Sequence, residues 1–335
     1  MHGDAGVWPD YLCSDAERIR GDVRDPDVVA DALDGVDVVY HQAALVGVGQ
    51  SMYEIQRYVS ANTLGTSVLL EEVVRRRDRI QRLIVASSMS VYGEGAYLDE
   101  NGRPACPELR PTTQLEKRQW ELRDERGRTL RPVATGESKP PFPTSVYAVT
   151  KRDHEELCCA VGTAYGIPTV ALRYFNVYGS RQALSNPYTG VVAIFSARLL
   201  NGKAPLVTED GEQTRDFVHV SDVVRANLLA LRCSAESGRV FNVGTGRPVT
   251  IRRVAELLAD HLRVPIAPDI TGRFRAGDIR HCYADLGRVS AELGYEPKVA
   301  LEEGIAEVVE WVRTQSAEDR VEQAVGELLR RGLTR

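Results

Sequence analysis

Short apolar runs alternate with amphipathic stretches along the first half of the chain. The runs at 36–40 and 82–86 are rich in Val, Leu and Ile and have the length of β-strands. The stretch 58–74 between them spaces its apolar residues as one face of a helix does. A helix over 151–165 and a strand over 169–174 continue the alternation. This order predicts an α/β fold with a doubly wound parallel sheet, covered by helices on both faces.

Residues 96–143 interrupt the alternation. The segment is rich in Pro, Gly, Arg and Glu and shows little periodicity. A loop of this length inside a compact domain is usually functional or disordered. We therefore expect an irregular insertion within the sheet domain.

Beyond residue 180 the pattern becomes less regular. Helices are predicted at 191–201 and 223–231, and a short strand at 217–220. The chain is therefore divided into a sheet domain, a smaller interleaved lobe with some segments returning to the sheet, and a charged helical tail: 1–180, 181–315 and 316–335.

Composition excludes several classes of function. Of 335 residues, 43% are hydrophobic, enough for a sizeable core, and the net charge of −5 gives no basic surface for nucleic acid. The six cysteines show no CxxC spacing, so we expect reduced thiols and no metal site. No run approaches the ~18 apolar residues of a membrane span, and residues 1–10 show no signal-peptide pattern. We expect a cytoplasmic protein that binds neither nucleic acid nor membrane.

Candidate chemistry centres on Tyr147 and Lys151 at the start of a predicted helix. Residues four apart share a helix face, so the Lys151 ammonium can approach the Tyr147 phenol and lower its pKa, ordinarily about 10. This spacing predicts a base poised near neutral pH. Ser88 ends a predicted strand, where open α/β sheets bind ligands. A surface Tyr–Lys pair and a turn-capping Ser are ordinary alternatives for each feature alone.

Three segments in this order resemble the extended short-chain dehydrogenase/reductases: 87–93 (SSMSVYG), 147–151 (YAVTK) and 173–179 (RYFNVYG). The resemblance extends to further segments, 41–44, 62–66, 210–222, 241–246 and 275–278, and spans about residues 21 to 311. It implies a Rossmann-like fold, an NAD cofactor and a nucleotide-sugar substrate.

The resemblance also implies roles for single residues. Ser88, Tyr147 and Lys151 match the catalytic triad of the family, whose lysine also holds the nicotinamide ribose. The cofactor-side matches are Asp22 and Val23 beside the adenine, Ala43 and Ala44 where small side chains admit the pyrophosphate, and Asn62, which supports the catalytic group. A buried alanine pair and a helix-capping asparagine are the ordinary alternatives.

Three residues match the substrate side of the family. Asn176 matches a residue that meets the pyrophosphate of the nucleotide sugar, and Arg215 and Arg275 match arginines that hold its phosphates. A planar guanidinium binds phosphate oxygens in pairs, so two arginines on separate loops suit a diphosphate. A surface salt bridge is the alternative for either arginine alone.

Met89 and Ser90 separate two activities within the family. Dehydratases of the family carry an Asp-Glu pair at these places for elimination, and a methionine cannot transfer protons. Segments 41–55, 143–147 and 186–190 resemble bacterial dTDP-L-rhamnose 4-epimerases, although similar sequences act on UDP-hexoses. In that group the insertion often carries two cysteines, whereas this chain has only Cys106 there.

We therefore expect an NAD-dependent nucleotide-sugar 4-epimerase that forms a homodimer, as is common in the family. Another nucleotide-sugar epimerase, a decarboxylase or a reductase of the family is the alternative.

The phosphate-binding turn of a dinucleotide fold has no counterpart in the sequence. Such a fold opens with a strand, a Gly-rich turn and a helix, followed about 20 residues later by an acidic residue for the ribose. Residues 1–4 instead resemble the loop after the second strand of the family. We expect the first β-α-β unit to be missing, through a misassigned start codon or a genuine shortening. In the second case an inactive binding protein is the alternative function.

Overall fold

The computed structural model describes residues 8–9, 11–188, 190–233, 237–275 and 277–335. Its α-helices are α1 (Pro26–Ala32), α2 (Val48–Ser51), α3 (Ile55–Tyr58), α4 (Gly65–Arg75), α5 (Thr112–Glu116), α6 (Val146–Tyr165), α7 (Val191–Leu200), α8 (Val220–Arg232), α9 (Ile251–Leu262), α10 (Gly287–Leu293), α11 (Leu301–Val312) and α12 (Val321–Arg330). Its strands are β1 (Val38–His41), β2 (Arg82–Ser88), β3 (Ala96–Leu98), β4 (Pro104–Ala105), β5 (Arg131–Val133), β6 (Thr169–Tyr174), β7 (Asn176–Tyr178), β8 (Leu206–Val207), β9 (Thr214–His219), β10 (Arg239–Val243), β11 (Pro248–Thr250), β12 (Asp269–Ile270) and β13 (His281–Cys282).

The central sheet consists of four parallel strands in the order β1-β2-β6-β10. Strands β2 and β6 lie in the middle and are almost entirely buried, as expected for parallel strands that are covered on both faces. Among the described residues β1 is the outer strand on its side of the sheet.

Helices cover both faces of this sheet. Side chains alternate along β2, so that Leu83 and Val85 join one core with α1, α4 and α6, whereas Ile84 joins another with α8 and α10. The doubly wound, Rossmann-like α/β fold predicted from the sequence is confirmed.

The predicted helix over 58–74 is interrupted. A π-helix (Val59–Leu64) joins α3 to α4, and it contains Asn62, which is fully buried. A π-helix holds more residues per hydrogen-bonded turn than an α-helix, and such turns occur frequently at functional sites. The interruption turns Asn62 toward the interior of the sheet domain, where its side chain bonds to Leu45 and Thr150.

A second lobe follows the sheet in the chain. Helices α7, α9 and α11 form its core together with β8 and β9, through residues such as Phe195, Leu258 and Ile305. Its main sheet has the order β11-β9-β13, and β7 pairs with β9. Helices α8 and α10 and strand β10 return to the central sheet. We therefore propose that residue 180 marks the point where the chain first leaves that sheet, and that later segments belong to both parts.

The insertion 96–143 is folded, which corrects the expectation of an irregular segment. Strands β4, β3 and β5 form a small antiparallel sheet, and Tyr97, Leu122 and Leu130 make a core of their own. These apolar residues lie far apart in the sequence, so no local periodicity shows them. Ion pairs join the insertion to the second lobe: the buried pair of Arg110 with Glu209, and the pair of Glu121 with the buried Arg280. Arg280 also pairs with Glu209 and Asp210 within the lobe.

The C-terminal segment returns across the molecule. Helix α12 buries Val321, Ala324 and Leu328, and the residues after it pair with the loop before β13. The main chain of Phe274 exchanges two hydrogen bonds with that of Arg335, at 2.9 and 3.0 Å. The last residues are therefore part of the folded structure.

No helix within the described residues is long and apolar enough to span a membrane.

Candidate active site

The carboxyl ends of neighbouring strands meet at one edge of the central sheet. Ser88 is the last residue of β2, Ala43 and Ala44 follow β1, and Asn176 follows β6 as the first residue of β7. Open α/β sheets bind their ligands at this edge. The structure therefore places these predicted residues on one side of the domain.

Tyr147 lies at this edge because it belongs to the first turn of helix α6. The Ser145 hydroxyl caps the helix by accepting a hydrogen bond from the Ala148 amide at 3.1 Å. The Tyr147 amide, which has no partner within the helix, donates to the Ser51 hydroxyl at 3.0 Å. The first turn of α6 is thus fixed both by its own cap and by α2.

The Tyr147 phenol lies near the Ser88 hydroxyl at this edge. Burial raises the pKa of Tyr147 to about 12, and the Ser88 hydroxyl acts in the opposite direction by favouring the phenolate. The sequence had predicted a base poised near neutral pH because Lys151 approaches the phenol. That prediction is wrong for the protein alone, because desolvation of the phenolate has the larger effect.

Lys151 is buried, and its ammonium is directed at the sheet. Its Nζ donates to the main-chain carbonyl of Ala86 at 2.7 Å, near the end of the strand that Ser88 closes. Burial lowers the pKa of Lys151 to about 8. The ammonium is therefore held by a strand carbonyl rather than by the Tyr147 phenol.

An ion pair inside the fold holds the middle of α6 against the sheet. Glu155, four residues after Lys151, accepts hydrogen bonds from Arg173 of β6 and from the Ser87 hydroxyl of β2, the latter at 2.7 Å. Both charged side chains are buried, and the carboxylate is satisfied from both strands. This contact holds α6 in one position along the sheet, and with it Tyr147 and Lys151 beside the strand ends.

Two buried histidines lie beside Lys151. The rings of His41 and His154 are stacked with their centroids 4.9 Å apart, and His41 bonds the Thr66 hydroxyl at 2.8 Å. Burial, reinforced by the Lys151 charge, lowers the pKa of His41 to about 4 and that of His154 to about 2. Both rings are neutral at physiological pH, so neither adds a second positive charge beside the Lys151 ammonium.

The residues after Ser88 form a tight turn. The amide and the hydroxyl of Ser90 both donate to the Ser88 hydroxyl oxygen, at 3.2 and 3.0 Å. Met89 is buried in a small apolar cluster with Tyr92 and Phe175. Neither Met89 nor Ser90 supplies a carboxylate for proton transfer, and Ser90 orients the Ser88 hydroxyl.

Asn62 joins the loop after β1 to helix α6. Its carbonyl oxygen accepts from the Leu45 amide at 2.7 Å, and its amide nitrogen donates to the Leu45 carbonyl and to the Thr150 hydroxyl. Asn62 therefore does not cap a helix. Its side chain positions the surrounding loop, and its polar atoms are already used within the protein.

Ala43 is exposed and Ala44 half-buried, so the alternative of an ordinary buried alanine pair is excluded. Small exposed side chains at a strand end leave room for a close approach by a pyrophosphate, and the Lys151 ammonium lies at the end of the adjacent strand. These residues fit the nicotinamide half of NAD. Asp22 is exposed and paired with Arg24, which lowers its pKa to about 2, and Val23 packs beside Gly65.

A cavity of about 310 Å³ lies between the sheet edge and the second lobe. It is lined by Asn176, Arg215 and Arg275, so the structure brings together the three predicted substrate residues. The Arg275 side chain is exposed at this cavity. The size is at the lower end of the range for small-molecule sites.

Arg215 is already engaged with the wall of the cavity. Its guanidinium donates to the main-chain carbonyls of Thr214, Ile279 and Arg280 at 2.7 to 3.0 Å, and Asp278 lies 3.5 Å away. These contacts hold the guanidinium plane in place at the cavity that Arg275 also lines. A preorganised arginine binds an anion with little further loss of side-chain freedom.

Sequence reasoning missed several positioning residues. Glu155 and Ser90 had usable signals, because Glu155 continues the four-residue spacing of Tyr147 and Lys151, and Ser90 lies inside the strand-end motif. Nothing in the local pattern marks His41 or His154 as a stacked pair, since they come from different elements.

Comparison with known proteins gives a consistent result. A sequence profile of the NAD dependent epimerase/dehydratase family matches residues 6–114 and 127–244. A dTDP-L-rhamnose 4-epimerase of Burkholderia thailandensis is 37% identical over 318 residues, which are 93% of this chain and 85% of the relative.

Two solved structures show the same architecture. The UDP-glucose 4-epimerase of Thermotoga maritima with UDP-glucose superposes with a TM-score of 0.71 at 30% identity, covering 88% of this chain and 83% of that one. The UDP-glucose 4-epimerase of Thermus thermophilus with NAD gives a TM-score of 0.71 at 29% identity, covering 92% of this chain and 89% of that one.

Proposed function

Because the chain belongs to the NAD-dependent epimerase/dehydratase family, we propose that it inverts C4 of a nucleotide sugar, with dTDP-L-rhamnose as substrate. An NAD-dependent enzyme of the isomerase class is established by its relatives. The observation that carries the finer proposal is the buried Tyr147 phenol near the Ser88 hydroxyl, beside a buried Met89. The Tyr147 phenolate can receive the proton of a sugar hydroxyl there. The acid–base pair that an elimination requires is replaced by Met89 and Ser90.

The residues proposed to act on the sugar are Ser88, Tyr147 and Lys151. Tyr147 as phenolate receives the proton of the sugar 4-OH, and the Ser88 hydroxyl donates a hydrogen bond to the same oxygen as charge develops. Bound NAD supplies the acceptor, and afterwards the donor, of the hydride at C4. Lys151 brings a positive charge to the site and compensates the phenolate.

The residues proposed to meet the cofactor are Asp22, Val23, Ala43, Ala44, Asn62, Tyr147 and Lys151. Among them Asn62 acts through the loop that it holds, because its polar atoms are bonded to Leu45 and Thr150. Asn176, Arg215 and Arg275 are proposed to bind the diphosphate while the 4-keto sugar turns to present its other face. The shared cavity of the three supports this assignment.

The test is incubation of the protein with NAD and dTDP-L-rhamnose, followed by NMR of the sugar, with UDP-glucose in parallel. We expect inversion at C4 of dTDP-L-rhamnose without incorporation of solvent deuterium at C4. If UDP-glucose is converted and dTDP-L-rhamnose is not, the proposed substrate changes to a UDP-hexose. A decarboxylated or reduced product, or nucleotide binding without conversion, would replace the 4-epimerase proposal by one of the alternative functions.

We further propose that the enzyme is a cytoplasmic homodimer. Val59 and Leu64 of the π-helix and Val149 of α6 are 42%, 50% and 44% exposed, on elements that lie against each other. Apolar residues exposed together on adjoining helices are typical of an interface. A Val149→Glu variant is expected to elute as a monomer in size-exclusion chromatography with light scattering, and a monomeric wild-type protein would contradict the dimer.

A further inference from the structure

The C-terminal segment forms one wall of the cavity that holds Asn176, Arg215 and Arg275. Helix α12 and the residues after it contribute Val321, Ala324, Val325, Leu328, Leu333 and Thr334 to the lining. Apolar side chains of α7 and the start of α9 line it as well. The cavity therefore combines the charge of the arginines with an apolar part closed by the C-terminus.

Thr334 is held in this wall by main-chain pairing. It lies opposite Arg275 in an antiparallel bridge, flanked by the two hydrogen bonds between Phe274 and Arg335. Its side chain is 6% exposed, and its hydroxyl has no hydrogen-bond partner among the described residues. A buried hydroxyl without a partner is rare in a folded protein and points to a ligand.

Gln213 also lines this cavity and carries a second unpartnered atom. Its amide nitrogen donates to the main-chain carbonyl of Thr208 at 3.1 Å and lies 3.2 Å from the Thr208 hydroxyl. Because the Thr208 carbonyl only accepts hydrogen bonds, the Gln213 atom that contacts it is the amide nitrogen, and the other is the carbonyl oxygen. The Gln213 carbonyl oxygen is buried and has no partner in the part of the chain that the structure describes.

Helix α12 is anchored at both ends rather than lying loosely on the surface. Before it, Asp319 pairs with Arg198 and Lys203 of the second lobe, at 3.2 and 3.1 Å. After it, the Arg331 guanidinium lies over the Tyr53 ring, 4.3 Å from the centroid. These contacts fix the position of Thr334 relative to Gln213.

We propose that the C-terminal segment closes the nucleotide site and that Thr334 and Gln213 recognise the base as a pyrimidine-2,4-dione. Such a ring carries one N–H between two carbonyl oxygens. The Gln213 oxygen accepts from the ring N–H, and the Thr334 hydroxyl donates to an adjacent ring carbonyl. Cytosine has a lone pair where the dione has its N–H, so the Gln213 oxygen repels it.

This proposal rests on the proposed nucleotide-sugar substrate, but its test needs no turnover. UDP and CDP differ only along the base edge that is recognised, so their dissociation constants are compared by isothermal titration calorimetry with the full chain. We expect the wild-type protein to bind UDP at least about tenfold more tightly than CDP. Gln213→Met is expected to bring the two dissociation constants within about threefold of each other, because the repelling oxygen is gone.

Thr334 is tested by a graded pair of variants. Thr334→Val is expected to weaken UDP binding about tenfold and to leave pyrophosphate binding unchanged, whereas Thr334→Ser, which keeps the hydroxyl, is expected to bind as the wild type does. Thr314→Val, at an exposed threonine after α11, is the matched control. A chain that ends at Arg331 is expected to lose at least as much UDP affinity as Thr334→Val.

Equal binding of UDP and CDP by the wild type, or unchanged UDP binding in Thr334→Val and Gln213→Met, would overturn the assignment. Either result leaves the 4-epimerase proposal intact if dTDP-L-rhamnose is converted. Base discrimination without sugar conversion would instead overturn the proposed reaction and retain the base site. Unchanged thermal unfolding of each variant excludes loss of folding as the cause.

Discussion

The Asn62 amide nitrogen donates to the Thr150 hydroxyl at 2.9 Å, and that hydroxyl donates in turn to the main-chain carbonyl of Tyr147. Asn62 also bonds the amide and carbonyl of Leu45, in the loop that follows Ala44. One buried side chain thus links the loop after β1 with the first turn of α6.

Asn62→Ala is expected to reduce the free energy of unfolding by about 1–3 kcal/mol, because buried polar groups of Leu45 and Thr150 lose their partner. Urea unfolding measures the loss. Asn101→Ala, at an exposed turn of the insertion, serves as the control. Equal stability of the two variants would show that the link does not stabilise the fold.

Tyr147→Phe is expected to lower kcat by about 10²–10⁴-fold, because the group proposed to receive the hydroxyl proton is removed. Nucleotide binding is expected to stay close to that of the wild type, since the ring remains. Sugar conversion followed by NMR and calorimetry with UDP separate the two effects. Tyr165→Phe, at the exposed end of the same helix, is expected to behave as the wild type. Full activity of Tyr147→Phe would remove the tyrosine from the reaction.

Arg275→Met is expected to raise KM for the nucleotide sugar about tenfold, with a smaller change in kcat, because the proposed charge-assisted contact to the diphosphate is lost. Steady-state kinetics with the converted sugar give both constants. The control is Arg253→Met, an exposed arginine of α9 that lies away from the cavity lining. A fall in kcat at constant KM would place Arg275 in the chemical step instead.

The stacked histidines predict loss of stability in acid. Burial lowers the pKa of His41 from 6.5 to about 4, so between these values the unfolded chain binds a proton that the folded protein does not. Stability is therefore complete above pH 6.5 and falls as the pH drops toward 4, with His41 alone removing about 2 kcal/mol by about pH 5.

This dependence is measured by urea unfolding at three pH values. They are neutral pH, a pH near the ordinary pKa of histidine, and a pH about 1.5 units below that pKa. His41→Gln is expected to remove about half of this dependence, because His154 still binds a proton on unfolding. His261→Gln, on α9 of the second lobe, should reproduce the wild-type slope. Parallel curves for wild type and His41→Gln would assign the acid sensitivity to other groups.

The ion pair of Arg110 attaches the insertion 96–143 to the second lobe. The Arg110 guanidinium meets the Glu209 carboxylate at 2.8 Å, and both side chains are at most 3% exposed. Arg110→Met leaves a buried carboxylate short of a partner and is expected to cost about 3–5 kcal/mol. Thermal unfolding and limited proteolysis within 96–143 are the measurements. Arg128→Met, which breaks a more exposed pair with Asp124, should cost under about 1 kcal/mol, and equal losses would contradict the buried role.

The sheet was predictable from the sequence because its signals are local. Strand β6 was predicted with the bounds it has, and α6 begins after Ser145, whose hydroxyl caps it. The meeting of Ser88 with the first turn of α6 followed from strand ends gathering at one edge. The roles assigned to the site residues stay predictions.

The remainder depends on contacts between distant parts of the chain. The π-helix around Asn62 has no periodicity of its own, and the buried setting that raises the pKa of Tyr147 is invisible in a Tyr–Lys spacing. Thr334 lines the cavity of Arg215 and Arg275 because its main chain pairs beside Phe274, which is distant in the sequence. Such pairings follow from tertiary packing, which local periodicity does not report.

Strand β1 is outermost in the described part of the central sheet. One side of its main chain has no neighbouring strand among the described residues, and Tyr40 on it is 38% exposed. Free strand edges recruit extended segments from other molecules and nucleate aggregation. An extended segment of another chain would add to the described sheet at β1.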